Sequence, residues 1–419
     1  GTTGDIESQP FLEAIRQVAL EVGKENALFI HVTLVPYLSG SYEHKTKPTQ
    51  HSVKELQGMG IHPDIIVLRC DRPLDDSVFR KIAMFCNVKE DCVIENMTVS
   101  QLYEAPLMLE KSHFSDIVCR ELKLSPPPCD LSEWNAMLEN IQNCTKRCVI
   151  SLVGKYTQLH DAYLSVAEAL RHAGYANSCS VSIEWIDSET ITDENADEML
   201  KNCDGILVPG GFGERGIEGM IAAARHCRLH KKPYLGICLG MQIAVIEFAR
   251  NVAGWKDASS REFDPDSLHK VIDFLPDQHD QIKKGGTLRL GAYPCMIQEN
   301  TVMMKCYQTK EIQERHRHRY EFNNDCRDDL IKAGLIISGT SPDGHIVETI
   351  ELPDHPFFVA VQFHPEFKSR PNRPHPLFNG LIKACVENAE KKGPASVTKY
   401  RNRSCSIMNP RCFPTPANE

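Results

Sequence analysis

The sequence predicts an α/β protein of two doubly wound domains, and three observations predict it. Short apolar runs alternate with amphipathic helical stretches, first over residues 1–125 and again from Arg147 onward. The strand-like runs are apolar throughout, as strands of a parallel sheet covered on both faces are. Between the two blocks stands Ser125-Pro126-Pro127-Pro128, where successive prolines stop helix and central strand alike.

The first block opens with a helix predicted over residues 10–25, where Phe11, Ile15, Val18 and Val22 recur at helical spacing. A β-rich run over 29–35 ends at Pro36, and a helix over 50–60 stops at Gly60. Ile65-Ile66-Val67-Leu68 is a short buried strand, and residues 75–85 form another helix. After the prolines a helix is expected over 131–141. The second block starts with a strand over 148–154, a helix over 161–172 and a strand over 181–186. The strand 205–208 runs into Pro209-Gly210-Gly211, followed by a helix over 216–228, a strand over 233–237 and a helix over 241–252. A late buried strand covers 357–362. From about Lys391 the chain turns polar and proline-rich, and residues 392–419 are expected to be a disordered tail.

Composition excludes several classes. Of 419 residues, 42% are hydrophobic and 25% charged, which is ordinary for a globular protein and rules out collagen-like or wholly disordered chains. No stretch of about 18 apolar residues occurs, so no membrane span is expected. With 47 basic and 56 acidic residues the net charge is −9, which argues against sequence-independent binding of long nucleic acid. The 17 cysteines are odd in number and none form C-x-x-C; the nearest pair is Cys144 and Cys148. Reduced thiols and a cytoplasmic setting fit this better than disulfides or zinc, and no metal ligands are assigned. The chain opens Gly1-Thr2-Thr3-Gly4-Asp5, a glycine-rich turn with no strand before it. The expectation is that the natural chain begins upstream.

Three local signals carry chemistry. Gly236-Ile237-Cys238-Leu239-Gly240 lies between a predicted strand and a predicted helix. A nucleophile there stands on a strained turn, above the sheet and at a helix N-terminus that favours a thiolate; read alone, it is also a buried cysteine at a tight turn. Phe363-His364-Pro365-Glu366 follows the late strand. His364 can serve as base to Cys238, and Glu366 can accept the other imidazole N–H. Pro209-Gly210-Gly211-Phe212-Gly213 leaves backbone N–H groups open, and the N–H groups of Gly211 and Leu239 are assigned as an oxyanion hole.

Together these elements resemble the class I glutamine amidotransferases over residues 147–390. That family cuts the glutamine side-chain amide through a cysteine thioester and releases ammonia. The resemblance narrows on Thr3-Gly4-Asp5-Ile6-Glu7-Ser8, Lys45-Thr46-Lys47-Pro48-Thr49-Gln50-His51-Ser52-Val53 and Phe85-Cys86-Asn87-Val88 in the first block. In the second it rests also on Gly285-Gly286-Thr287-Leu288-Arg289-Leu290-Gly291 and Glu314-Arg315-His316-Arg317-His318-Arg319-Tyr320-Glu321. This set is similar to the CTP synthases to about residue 390.

The resemblance implies ligase chemistry in pyrimidine biosynthesis: ATP phosphorylates O4 of UTP, and ammonia displaces the phosphate to give CTP. It implies a P-loop-type amidoligase domain, incomplete here, with residues 1–125 as its C-terminal part. A linker over 126–146 and an amidotransferase domain over 147–391 follow. It implies that Gly211, Leu239, Gln242, Glu262 and Arg319 hold glutamine. Glu262 suits the substrate ammonium and Arg319 its carboxylate, although by charge pattern alone residues 314–321 read as a solvated basic run. UTP and the inhibitor CTP would be held by Asp5, Ile6, Glu7, Lys45, Thr46, Lys47, Pro48, Thr49, Gln50 and Lys81. Lysines at a helix N-terminus suit a triphosphate. Arg69 would lie near ATP, and the loop 285–291 would act as a lid under GTP activation. The family is homotetrameric.

The sequence departs from the family in one respect: no G-x-x-x-x-G-K-[ST] phosphate loop and no upstream magnesium carboxylates occur in it. The chain as written is therefore expected to hydrolyse glutamine without forming CTP. Two other readings stay open, a glutaminase of another class I amidotransferase and a non-catalytic regulatory subunit.

Overall fold

A computed structural model describes residues 2–274 and 289–391. The chain divides into two compact units, Gly1–Leu138 and Glu139–Glu419. The expected tail over 392–419 lies outside the described residues, as does most of the loop 285–291. No helix among the described residues is long and apolar enough to cross a membrane.

In the first unit three parallel strands pair in the order Ile30–Leu34, Ile65–Cys70, Val93–Met97. The central strand is buried on both faces. Ile66 and Leu68 pack with Val53, Val78 and Ile82 on one side, and Ile65 and Val67 pack with Ile94 and Ile117 on the other. This is the covered parallel sheet that its unbroken apolar run anticipated. The helices include Gln9–Val22, Lys47–Gly58, Asp76–Cys86 and, carrying Ile117, Phe114–Glu121. Lys47–Gly58 begins three residues before its expected start, because Pro48 occupies the first helical turn, where its missing N–H costs nothing. Helix Gln9–Val22 departs from expectation in another way. Its apolar spacing is present, yet it buries no residue, and Phe11 and Leu20 stand 71% and 76% exposed. Val32 and Leu34 on the outer strand are also exposed.

The second unit is built on a nine-stranded sheet. Five parallel neighbours run in the order Phe358–Val361, Tyr234–Ile237, Gly205–Val208, Lys146–Gly154, Cys179–Asp187. Four antiparallel strands, Val347–Glu351, Ile336–Thr340, Arg289–Ile297 and Glu311–His318, extend the Phe358–Val361 side. The four have no counterpart in the sequence reading. Glu311–His318 alternates exposed with buried, and three of its four buried members, Glu314, His316 and His318, are polar, the other being Ile312. Val347–Glu351 is buried throughout although it carries Glu348 and Glu351. Polar residues on inward positions hide a strand from hydrophobic patterning.

Helix Leu239–Asn251 is buried from Leu239 to Ala249, as a helix enclosed on all sides must be. Its one acidic residue, Glu247, is fully buried and meets Arg228 through hydrogen bonds of 2.8 and 2.9 Å. Each fully buried aliphatic side chain of this core contributes roughly 1.5–3 kcal/mol.

Candidate active site

Register places the chemistry. Val361 pairs with Ile237, and Gly236 with Val208, so three adjacent parallel strands end at the same edge of the sheet. Cys238 follows the first of these ends, Gln362 to Glu366 the second, and Pro209 to Gly213 the third. The carboxyl edge of a parallel sheet is where α/β folds open their sites.

Cys238 has φ 52° and ψ −101°, a region where a side chain is strained. It is held there by its N–H donating to Val361 O at 2.7 Å and by the helix that starts at Leu239. Leu239 opens that helix, so its N–H has no intrahelical acceptor. Gly211 lies close by, and a Cβ built on it would stand 3.2 Å from Leu239 Cδ2. The two expected oxyanion donors therefore share one neighbourhood.

His364 Nδ1 meets Glu366 Oε1 at 2.8 Å, and the imidazole and Cys238 both border Gly210, on which a Cβ would stand 2.9 Å from His364 Cε1 and 3.6 Å from Cys238 Cβ. Nδ1 is occupied by the carboxylate, which leaves Nε2 for the thiol. Burial by itself lowers the pKa of His364, but the Cys238 charge and the hydrogen bond to Glu366 outweigh it and raise it to about 10. Gly210, having no Cβ, permits this approach.

The expected glutamine residues partly converge. Gln242 is buried and donates from Nε2 to Tyr320 O at 3.1 Å and to Gln362 Oε1 at 3.4 Å, one residue from Arg319. Glu262 accepts from Gly213 N–H at 2.8 Å, which ties it to the glycine loop. Arg319 lies between the strands Glu311–His318 and Tyr320–Phe322, half-buried. The reading of residues 314–321 as a solvated run is thus corrected, because alternate side chains of this segment point into the core.

Three residues near the site escaped the sequence. Gln362 Nε2 lies 3.6 Å from Cys238 Sγ. Tyr234 donates its hydroxyl to Gly240 O at 2.8 Å behind the elbow. Lys155, 3% exposed, donates from Nζ to Phe212 O at 3.0 Å and to Gly213 O, bracing the glycine loop. Burial pushes this ammonium down to about 8, against the pull of Glu262. Its one signal in the sequence is a lysine directly after a strand that ends in Gly154. Farther along, burial holds Glu348 up at about 7 and Glu321 at about 8 despite Arg289, which reaches Glu348 at 2.5 Å.

In the first unit Thr46 precedes helix Lys47–Gly58, and Thr46, Thr49 and Gln50 are buried. Thr49 Oγ1 bonds Thr33 Oγ1 at 3.0 Å, and Gln50 Nε2 bonds Thr46 Oγ1 at 3.1 Å, so these side chains shape the turn. Lys45 pairs with Glu43 just before the helix start, and the hydrogen bond to Lys45 is the main cause that lowers the Glu43 carboxyl, with a smaller pull from the Lys81 charge. Asp5 precedes the exposed turn Ile6–Ser8, and the adjoining Gly4 lies near Glu55 of the same helix. Arg69 donates to Asn96 Oδ1 at 2.7 Å and to the carbonyls of Asn96 and Met97. A cavity of about 570 Å³ in this unit is lined by Asp91, Glu95, His113, Asp116 and Arg120, and holds none of the expected nucleotide residues.

Known proteins resemble this chain over most of its length. Residues 158–384 match the model of the class-I glutamine amidotransferases, and residues 1–124 match that of the CTP synthase N-terminus. The CTP synthase of Clostridium kluyveri is 56% identical over 391 residues, covering 93% of this chain and 73% of that protein. That of Clostridium beijerinckii is 57% identical over 392 residues, covering 94% and 73%. Among solved structures, the glutaminase domain of Trypanosoma brucei CTPS with bound acivicin is 43% identical, with a TM-score of 0.54. It covers 58% of this chain and 94% of that one. With a synthetase N-terminal match, an amidotransferase match and relatives of this identity, the chain belongs to the CTP synthase family of glutamine-hydrolysing ligases.

Proposed function

We propose that Cys238 is the nucleophile of glutamine hydrolysis, His364 its acid–base partner and Glu366 the group that orients the imidazole. The observation that carries this is one juxtaposition: His364, hydrogen-bonded to Glu366, borders Gly210 together with Cys238, whose sulfur sits on a strained strand-to-helix turn. The Cys238 thiolate attacks the γ-carbonyl carbon of glutamine. The oxyanion forms between the N–H groups of Gly211 and Leu239. His364 gives its proton to the leaving nitrogen, ammonia departs, and a thioester remains. His364 then takes a proton from water as the water oxygen attacks the thioester, which returns glutamate and the starting pair. Glu262 receives the substrate ammonium and Arg319 its carboxylate, with Gln242 between them. Hydroxylamine added with glutamine should trap the thioester as γ-glutamyl hydroxamate; no hydroxamate at saturating glutamine would contradict a covalent route.

The raised pKa of His364 fixes the sign of a pH effect. The imidazolium is stabilised in the folded chain, so its contribution is full below the ordinary histidine value of about 6.5 and is lost as pH rises through about 10. Glu366→Gln removes one raising partner. The alkaline limb of the glutaminase rate should move to lower pH, with kcat down about 10²–10⁴-fold. An unmoved limb would show that Glu366 does not support the charge.

The family works with ATP and Mg²⁺. Among the described residues the one cluster of three or more metal-ligand side chains is Asp197, His226 and His230, whose nitrogens do not suit Mg²⁺. We assign UTP and CTP to residues 45–50 with Lys81 and the segment Asp5, Ile6 and Glu7, and ATP to the Arg69 side of the same unit. Lys45→Ala and Lys81→Ala should each weaken protection of the chain by UTP against thermal unfolding about tenfold in concentration, and leave glutaminase kcat unchanged. Equal protection in all three proteins would move the nucleotide elsewhere. GTP activation through residues 285–291 and a homotetramer rest on the family resemblance.

A further inference from the structure

Helix Ile217–His230 carries His226 and His230 four residues apart, on one face. The short helix Ala196–Leu200 sets Asp197 opposite them. Asp197 Oδ1 meets His226 Nδ1 at 2.7 Å and His230 Nε2 at 3.0 Å. The two rings stand 4.5 Å apart. Two imidazole nitrogens and a carboxylate oxygen thus converge within 4.8 Å of one another. His226 is buried, whereas the side chains of Asp197 and His230 are 74% and 50% exposed, so the cluster opens to solvent. It is distinct from the catalytic centre. His230 precedes the strand Tyr234–Ile237 and Cys238 follows it, which puts them at opposite ends of that strand.

We propose that Asp197, His226 and His230 form an open three-ligand site for a late first-row divalent cation, Zn²⁺ being the best match, with water completing the shell. Two imidazoles and one carboxylate are a ligand set for Zn²⁺, Co²⁺ or Ni²⁺ and a poor one for Mg²⁺ or Ca²⁺. The last turn of the helix, where His230 sits, also favours positive charge. Ligands held about 2.0–2.2 Å from a tetrahedral ion lie about 3.3 Å apart. The present hydrogen-bond distances must therefore open by a few tenths of an ångström, which the exposed Asp197 and His230 side chains allow.

Two features limit the affinity. Coordination through His226 Nδ1 leaves a proton on Nε2, which is buried without a hydrogen-bond partner among the described residues. Missing an outer-shell partner costs about 10–100-fold in metal affinity. Lys232 also adds its charge nearby, although its ammonium is bonded to the carbonyls of Leu200 and Lys201. The site is therefore an exchangeable one that clasps two helices together.

The test is a Co²⁺ titration of the full chain with Mg²⁺ in excess, followed by visible absorption, with Zn²⁺ added last. The wild-type protein should show one equivalent of visible bands without a thiolate-to-cobalt charge-transfer band, and Zn²⁺ should displace them. Asp197→Asn and His230→Ala, both at exposed positions, should each weaken binding at least tenfold at unchanged glutaminase rate. Equal binding by wild type and both variants, a thiolate band alone, or no visible band at millimolar Co²⁺ would each overturn the proposal.

Discussion

Cys238→Ala is expected to lower glutaminase kcat by about 10⁴-fold or more, while UTP protection of the first unit is unchanged. The covalent route depends on this sulfur, which borders Gly210 beside the His364 imidazole and whose charge raises the His364 pKa. Ammonia release measured at saturating glutamine checks it, and a rate within tenfold of wild type would remove Cys238 from the mechanism. The backbone adds a second readout. At φ 52° and ψ −101° a side chain is strained by about 1–3 kcal/mol. Cys238→Gly should therefore unfold at a higher temperature than Cys238→Ala, although glycine itself costs roughly 0.5–1 kcal/mol of chain entropy. Such an order would show that the site holds its nucleophile at the expense of stability.

Gly240→Ala is expected to destabilise the second unit by about 3 kcal/mol or more and to abolish glutaminase activity with it. A Cβ on Gly240 would lie 2.1 Å from Val208 O, a backbone atom of the neighbouring strand that cannot swing aside. Relief requires the helix Leu239–Asn251 to move away from the sheet. Leu239 N–H and Cys238 Sγ would move with it, away from His364 and Gly211. Thermal unfolding of the variant beside Cys238→Ala separates the two effects: one should be inactive and unstable, the other inactive and stable. A Gly240→Ala protein with wild-type unfolding and activity would mean that the elbow is looser than its contacts indicate.

The catalytic elements were legible because each is a local pattern. G-x-C-x-G between a strand and a helix, H-P-E after a strand and P-G-G after a strand all report backbone geometry at a strand end. The strands themselves announced their burial through unbroken apolar runs such as Ile65 to Leu68 and Gly205 to Val208. Two of the four antiparallel strands stayed hidden because their inward positions hold polar residues, Glu314, His316 and His318 on Glu311–His318 and Glu348 and Glu351 on Val347–Glu351. Glu314, for one, finds a partner only across the fold, where it meets His375 at 3.0 Å, 61 residues away. Lys155 escaped for the same reason, because a single lysine after a strand looks exposed until the carbonyls of Phe212 and Gly213 come to cover it.

What the sequence by itself determined is the set of reactive groups and the family they belong to, both written in short stretches where neighbouring residues dictate the backbone. What only the tertiary structure decided is their meeting. Cys238, His364 and Gly211 are brought to one sheet edge by the in-register pairing of three strands distant in sequence. It also decided which polar side chains are removed from water. Charge and pKa at His364, Lys155 and Glu348 follow from that removal and from the partners each then has within reach.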